Sequence, residues 1–549
     1  MRILTADQAA ELITDGATVA CAGFVGAGHA EAVTSAIERR FEATGAPRDL
    51  TLVYSAGQGD RGRRGVNHFG SAGMTTRIVG GHGRSAPRLG DLAMAEQAEG
   101  YNLPQGVISH LFRAIAGGKP GVITKTGLHT FVDPRYQGDA VNQLAMRRRA
   151  QGRGPQNKSW PGEVEHLRLH GEDHLLYNAF PIDFAFIRAT EADAKGNLST
   201  HEEPFHQELL AIAQAARNSG GMVIAQVKRM VDAHKNLQAV HVPGILVDVV
   251  VVCDDVEAEH QMTFGETWNP AYCEPARAAV DAGAGAAKAA VIPKDMTAGG
   301  DVAALDARAI VQRRAVLELI KRRPRVVNLG VGMPAAVGAL AEKHGARGFT
   351  LTVEAGPIGG TPADGLSFGA SAYPEAVVDQ PAQFDFYDGG GIDLAFLGLA
   401  ELDAAGNVNV SLFGEGESRL LAGVGGFINI TQSARALVFM GTLTAGGLKV
   451  EAADGRLRIV QEGRMKKIVP EVGHLTFNGA YAASLGIPVV YITERAVFEM
   501  RGDRLTLTEI APGVDLQRDV LDQCGAAIAV ADNLQEMDAR VFTEALLAS

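Results

Sequence analysis

Short apolar runs alternate along the chain with glycine-rich turns and alanine-rich stretches. "ATVACA" precedes "GFVGAGHAEAV" near the start, and "RVVNL" precedes "GVGMPAAV" in the second half. Each reads as a buried strand, a glycine turn and a helix start, the pattern of helices packed on parallel sheet. "AIVQRRAVLELIKRR" reads as a fresh helix following a polar linker. In "RGFTLTVEAGPIGG", Phe349, Leu351 and Val353 alternate with Thr350, Thr352 and Glu354, which predicts a strand ending at Glu354.

The pattern repeats. "DFAFIRATEADAKGNLST", from Asp183, and "DLAFLGLAELDAAGNVNV", from Asp393, share Asp, Ala, Phe, Glu, Asp, Ala, Gly and Asn in register, 210 residues apart. The two glycine turns, at Gly28 and Gly332, are 304 apart, so the first half carries about 94 extra residues, placed at 81–175. The expectation is an α/β chain of two related domains, each a largely parallel sheet flanked by helices. The first spans 1–300 with its insertion and the second 301–549, with the boundary near 291–310.

Composition narrows the function classes. A net charge of -12 argues against nucleic-acid or anionic-membrane binding. The basic "RRR" at 147–149 reads as a solvated loop. The four cysteines have no CxxC or zinc spacing and read as small core residues in a reducing, cytoplasmic setting. No signal peptide or apolar stretch of membrane-spanning length is evident. His201 and His206 are five apart, poor spacing for one helix face, so no metal site is expected; Glu202 and Glu203 read as the first turn of a helix.

Four stretches can carry chemistry. Gly330, Val331, Gly332, Met333 and Pro334 form a turn that can bring backbone N–H groups to an anion, or simply turn the chain. Glu354, at the edge where parallel sheets bind ligands, is either a capping carboxylate or a nucleophile or base left room by Gly356, Gly359 and Gly360. Gln105, between Pro104 and Gly106, is either a helix cap or an oxyanion donor. Gly423, Gly425 and Gly426 can approach a thioester or a long cofactor arm, and Lys449 is a candidate phosphate contact.

Together, "YNLPQG", "TFVDP", "NLGVGMP", "VEAGPIGG", "GVGGFINI" and "GTLTAGGLKV" resemble the family I coenzyme A transferases, in the long form with two homologous subunits fused. The resemblance runs from Leu12 to about Val530 and accounts for the internal echo. It implies that Glu354 is the nucleophile, Gln105 an oxyanion donor, and the 330–334 loop a coenzyme A-binding turn. It also implies that Gly425 and Gly426 lie beside the thioester, with Lys449 a weaker carry-over. His29 and His129 depart from the family pattern and are candidates to narrow the acyl pocket.

The implied reaction transfers coenzyme A from a short-chain acyl-CoA to a carboxylic acid by a ping-pong route through a glutamyl-CoA thioester. Coenzyme A is then substrate and covalent intermediate, with no tightly bound cofactor and no metal, and a homo-oligomer, dimer or tetramer, is the family expectation. Three rivals remain on the residues alone. A hydrolase would admit water to the same glutamate. A noncatalytic binder of coenzyme A or a sugar phosphate would form no adduct. A nicotinamide oxidoreductase needs a clean G-x-G-x-x-G fingerprint with an acidic residue about 20 positions later, which the chain lacks.

Overall fold

A computed structural model describes residues 1–152, 160–275, 305–414, 419–545 and 547. Two compact units emerge. The first holds the described residues of Met1–Ala282, Val353–Phe386 and Ser411–Asn429, and the second those of Gly283–Thr352, Tyr387–Val410 and Ile430–Ser549. Two segments from the C-terminal half therefore pack with the N-terminal unit. The expected linear boundary at 291–310 lies outside the described residues up to 304, as does 153–158 of the basic run.

In the first unit, β1 (Arg2–Leu4), β2 (Thr18–Cys21), β3 (Leu50–Tyr54), β4 (Thr75–Gly80), β5 (Glu99–Asn102), β6 (Phe184–Asp193), β7 (Met222–Val231) and β8 (Val249–Val252) form a parallel path. Its order is β1-β8-β7-β6-β2-β3-β4-β5. "LTLVY" of β3 is buried at every position, as continuous apolar strands covered on both faces must be. Val19, Leu52, Phe186, Ile224 and Val249 join Val33 and Ile37 of the helix Glu31–Thr44 in one core.

In the second unit, β9 (Val326–Leu329), β10 (Thr350–Thr352), β11 (Leu394–Gly398), β12 (Leu437–Met440) and β13 (Val489–Ile492) are parallel in the order β10-β9-β11-β12-β13. The expected helix runs from Ala307 to Arg322, capped by Asp306, and buries Ile310, Val311, Val316 and Leu319 against Val327, Phe396 and Val438.

The sequence echo is a structural echo. The order β8-β7-β6-β2-β3 matches β13-β12-β11-β9-β10. Asp193 accepts from the N–H groups of Lys195 and Asn197, while Asn197 Oδ1 accepts from Gly244 N–H at 2.8 Å. Asp403 accepts from Ala405 and Asn407 in the same way, and Asn407 Oδ1 accepts from Gly479 N–H at 3.0 Å. Gly196 and Gly406 sit at φ 82° and 74°, which only glycine adopts without cost.

Four expectations change. Residues 81–175 are not one insertion, because β5 completes the sheet and the helix Gln105–Ala116 packs beside it. The separate part is a three-stranded antiparallel sheet of Gly121–Thr124, Val164–Leu169 and Glu172–Asn178. The strand before Glu354 stops at Thr352, because Val353 N–H turns to Pro357 O and Gly356 N–H to Val353 O. The helix after His201 starts at Leu209, because Glu203 is buried in pairs with Arg188 and His260 instead. Finally, 147–149 belong to the helix Gln143–Ala150, with Arg148 stacked over Trp160.

Candidate functional site

The candidate site lies where the parallel strands of the first unit end, the edge at which such sheets bind ligands. Asn102, at the end of β5, fixes three backbones at once. Its amide donates to Gly80 O and Gly81 O, both at 2.8 Å, and its oxygen accepts from Val424 N–H at 3.1 Å. Gly425 N–H then donates to Gly81 O at 2.7 Å, and Gln105 N–H to Gly425 O at 2.9 Å. Gly106 N–H donates to Asn429 Oδ1 at 3.2 Å. The loop 422–429 is thus stapled to the helix that begins at Gln105.

Glycine is required here by space. A Cβ on Gly426 would stand 3.3 Å from Glu354 Cγ and 3.3 Å from the Phe384 ring. A Cβ on Gly106 would run into that same ring and into Asn429. Gly425, at φ 53°, places its α-carbon beside the Gln105 amide and the His82 ring. Glu354, Gln105, Gly425 and Gly426 are therefore brought together.

The electrostatics are unusual. Glu354 is 8% exposed and has no ion pair among the described residues. Its Oε2 is buried without a hydrogen-bond partner, and so is Gln105 Nε2. Burial pushes the Glu354 carboxyl up to about 7, opposed only by its own backbone N–H. Pro104 occupies the cap position, with no side-chain cap, so Gln105 is not spent on capping its helix. Gly425 N–H is occupied by Gly81, which leaves Gly426 N–H as the unpartnered backbone donor of this pair among the described residues. A buried carboxylate without a counter-ion, beside unspent donors, is a candidate reactive group.

The 330–334 turn and Lys449 belong to the second unit. In the second unit, Gly330 N–H donates to Phe396 O at 2.8 Å. The carbonyls of Gly332 and Met333 accept from Arg308 and Gln312, each at 2.9 Å. The N–H groups of Val331, Gly332 and Met333 make no hydrogen bond among the described residues, and Val331 is 55% exposed. Pro334 opens a single 3₁₀ turn. Lys449 starts the exposed hairpin Lys449–Ala453/Arg456–Gln461.

His29 is held inside the first unit by Gln58 and Thr34, both at 2.8 Å, and burial lowers it to about 4. His129 is half-buried in a tight turn against Tyr136 and Asp133. Neither is shown next to Glu354. Sequence reasoning missed Asn102, His82, Phe384 and Asn429. Asn102 lies inside "YNLPQG" and was within reach; Phe384 carried no local signal.

Known proteins resemble this chain over nearly its whole length. The profile of the family described as coenzyme A transferase matches residues 3–253. Caffeate CoA-transferase of Acetobacterium woodii is 42% identical over 548 residues, 99% of this chain and 98% of that protein. Acetate CoA-transferase YdiF of Escherichia coli O157:H7 is 38% identical, covering 99% of this chain and 96% of that one. The solved structure of YdiF, an acyl-CoA transferase, as a thioester complex with CoA, superposes with a TM-score of 0.86 at 36% identity. It covers 100% of this chain and 97% of that one.

Proposed function

The chain belongs to the coenzyme A transferase family and is a CoA-transferase, and from that premise we propose that it carries coenzyme A between short-chain carboxylic acids on Glu354. The carboxylate attacks the acyl-CoA carbonyl: a C–O bond forms, the C–S bond breaks, and the thiolate leaves with the electron pair. The thiolate then attacks the glutamyl carbonyl of the mixed anhydride, forming a glutamyl-CoA thioester and expelling the first acid as carboxylate. The acceptor acid runs the sequence backwards. Both attacking groups are anions, so no general base is needed.

The observation that carries this reading is the orphaned, buried Glu354 carboxyl against Gly426, with the unspent Gln105 amide on the helix to which that loop is stapled. Gln105 Nε2 and Gly426 N–H are the donors for the tetrahedral oxyanion. The 330–334 turn, with its unpartnered N–H groups, supplies coenzyme A binding energy, with Lys449 as a further contact. Coenzyme A is substrate and intermediate rather than a resident cofactor.

No helix among the described residues is long and apolar enough to cross a membrane. The proposal includes a cytoplasmic homo-oligomer, dimer or tetramer. Initial rates measured against both substrates test the route: parallel double-reciprocal lines are expected. Intersecting lines, or acyl-CoA loss without any acceptor acid at the full rate, would replace the transferase cycle with direct transfer or hydrolysis.

A further inference from the structure

A second buried carboxylate, Glu208, stands in the same unit. It is 0% exposed and precedes the helix Leu209–Asn218. Ser55, directly after β3, donates its hydroxyl to Glu208 Oε1 at 2.7 Å. Gln380 Nε2 donates to Ser55 Oγ at 2.9 Å and to Ser109 Oγ at 3.3 Å. Gln380 N–H donates to Gln207 O at 2.8 Å. Ser109 lies one turn along the helix that begins at Gln105, and Gln380 one turn before Phe384, the ring that bounds Gly106 and Gly426. The Gln105 α-carbon and the Ser55 carbonyl flank the same point beside Gly81.

We propose that Glu208 is a positioning residue: through Ser55 and Gln380 it locks the helices bearing Gln105 and Phe384 around the reaction centre, and it does so as the neutral acid. This rests on the Glu354 reading for the reaction it serves. The physical reason is charge. Each step develops an oxyanion, and an unpaired negative charge behind its donor opposes that development in a medium of low dielectric.

The groups facing Glu208 agree. Asp379 adds negative charge, the Cys21 thiol is itself pushed up in part by Glu208, and no cation pairs with Glu208 among the described residues. Burial raises Glu208 to about 7, and its Oε2 has no partner, as has Gln380 Oε1. Ionisation of Glu354 therefore raises turnover with pH, and ionisation of Glu208 lowers it.

The test compares pH profiles of kcat for the wild type and Glu208→Gln. Wild-type kcat should fall about tenfold from pH 7 to 8.5, whereas kcat of Glu208→Gln should not fall and should rise by up to about twofold as Glu354 ionises. Superimposable profiles would overturn the proposal. Should that variant fail to fold, Ser55→Ala carries the test. It should lower kcat about tenfold with KM for acyl-CoA within about twofold, and a wild-type kcat in it would overturn the proposal. Mass spectrometry on the same samples separates the two readings: absence of an adduct on Glu354, with the difference between profiles intact, would sink the Glu354 reading and support this one.

Discussion

The two units share a five-strand order and an Asp-Asn turn, yet their strand ends differ in burial and bonding. In the first, the edge is enclosed: Gly81 O accepts from both Asn102 Nδ2 and Gly425 N–H, and Glu354, Gln105 and Glu208 each keep a buried polar atom unpaired. In the second, the turn after β9 presents an exposed Val331 and unpartnered N–H groups. The same strand order and turn occur in both units. On the proposed reading, burial suits one edge to chemistry, because water does not solvate its carboxylates, and exposure suits the other to a large anion.

That contrast predicts which kinetic constant each unit controls. Glu354→Ala should lower transfer by at least about 10³-fold with the fold intact by circular dichroism. Residual turnover above that would place the nucleophile elsewhere. Gln105→Ala should cost about 10²–10³ in kcat with a small change in KM. In the second unit, Gly332, at φ 86°, should behave the other way. If the turn binds coenzyme A as proposed, Gly332→Ala should raise KM for acyl-CoA roughly tenfold with kcat nearly unchanged, since it strains the turn without touching the reacting group. A kcat effect there as large as that of Gln105→Ala would erase the distinction between the edges.

Smaller effects sharpen the comparison. Asn197→Ala and Asn407→Ala remove equivalent bonds to Gly244 and Gly479. Each should cost about 1–3 kcal/mol in denaturant unfolding, and similar values would confirm that the shared turn does the same job in both units. The pH dependence of stability belongs to the enclosed edge. Glu354 is raised from 4.5 to about 7, so the folded state keeps a proton that the unfolded chain releases. That advantage is complete below about 4.5 and lost as pH rises through 7. Glu354→Gln should therefore be more stable than the wild type above pH 7, by roughly 1–3 kcal/mol, and no more stable below that window.

Much of the scaffold was readable from local pattern. Apolar runs such as "ATVACA" and "RVVNL" marked buried parallel strands, and the echo from Asp183 to Asp393 marked the repeated turn, since both signals are contiguous. Glu354, Gln105 and the glycine loops were readable as family motifs. What escaped depends on long-range packing. Ser55, Glu208 and Gln380 meet across 153 and 325 residues of chain, and no periodicity announces such a meeting. The start of the helix at Leu209 was missed because Glu203, which favours a helix's first turn by charge, is captured by Arg188 and His260. The return of 353–386 and 411–429 to the first unit was likewise invisible in a linear division.

The central claim is a covalent bond at one side chain. Incubation with acyl-CoA and no acceptor acid, followed by peptide-resolved mass spectrometry, measures it directly. A coenzyme A-sized increment on the peptide containing Glu354, absent from Glu354→Gln, is the predicted result. An unmodified peptide in an enzyme that still exchanges coenzyme A between acids at full rate would contradict it.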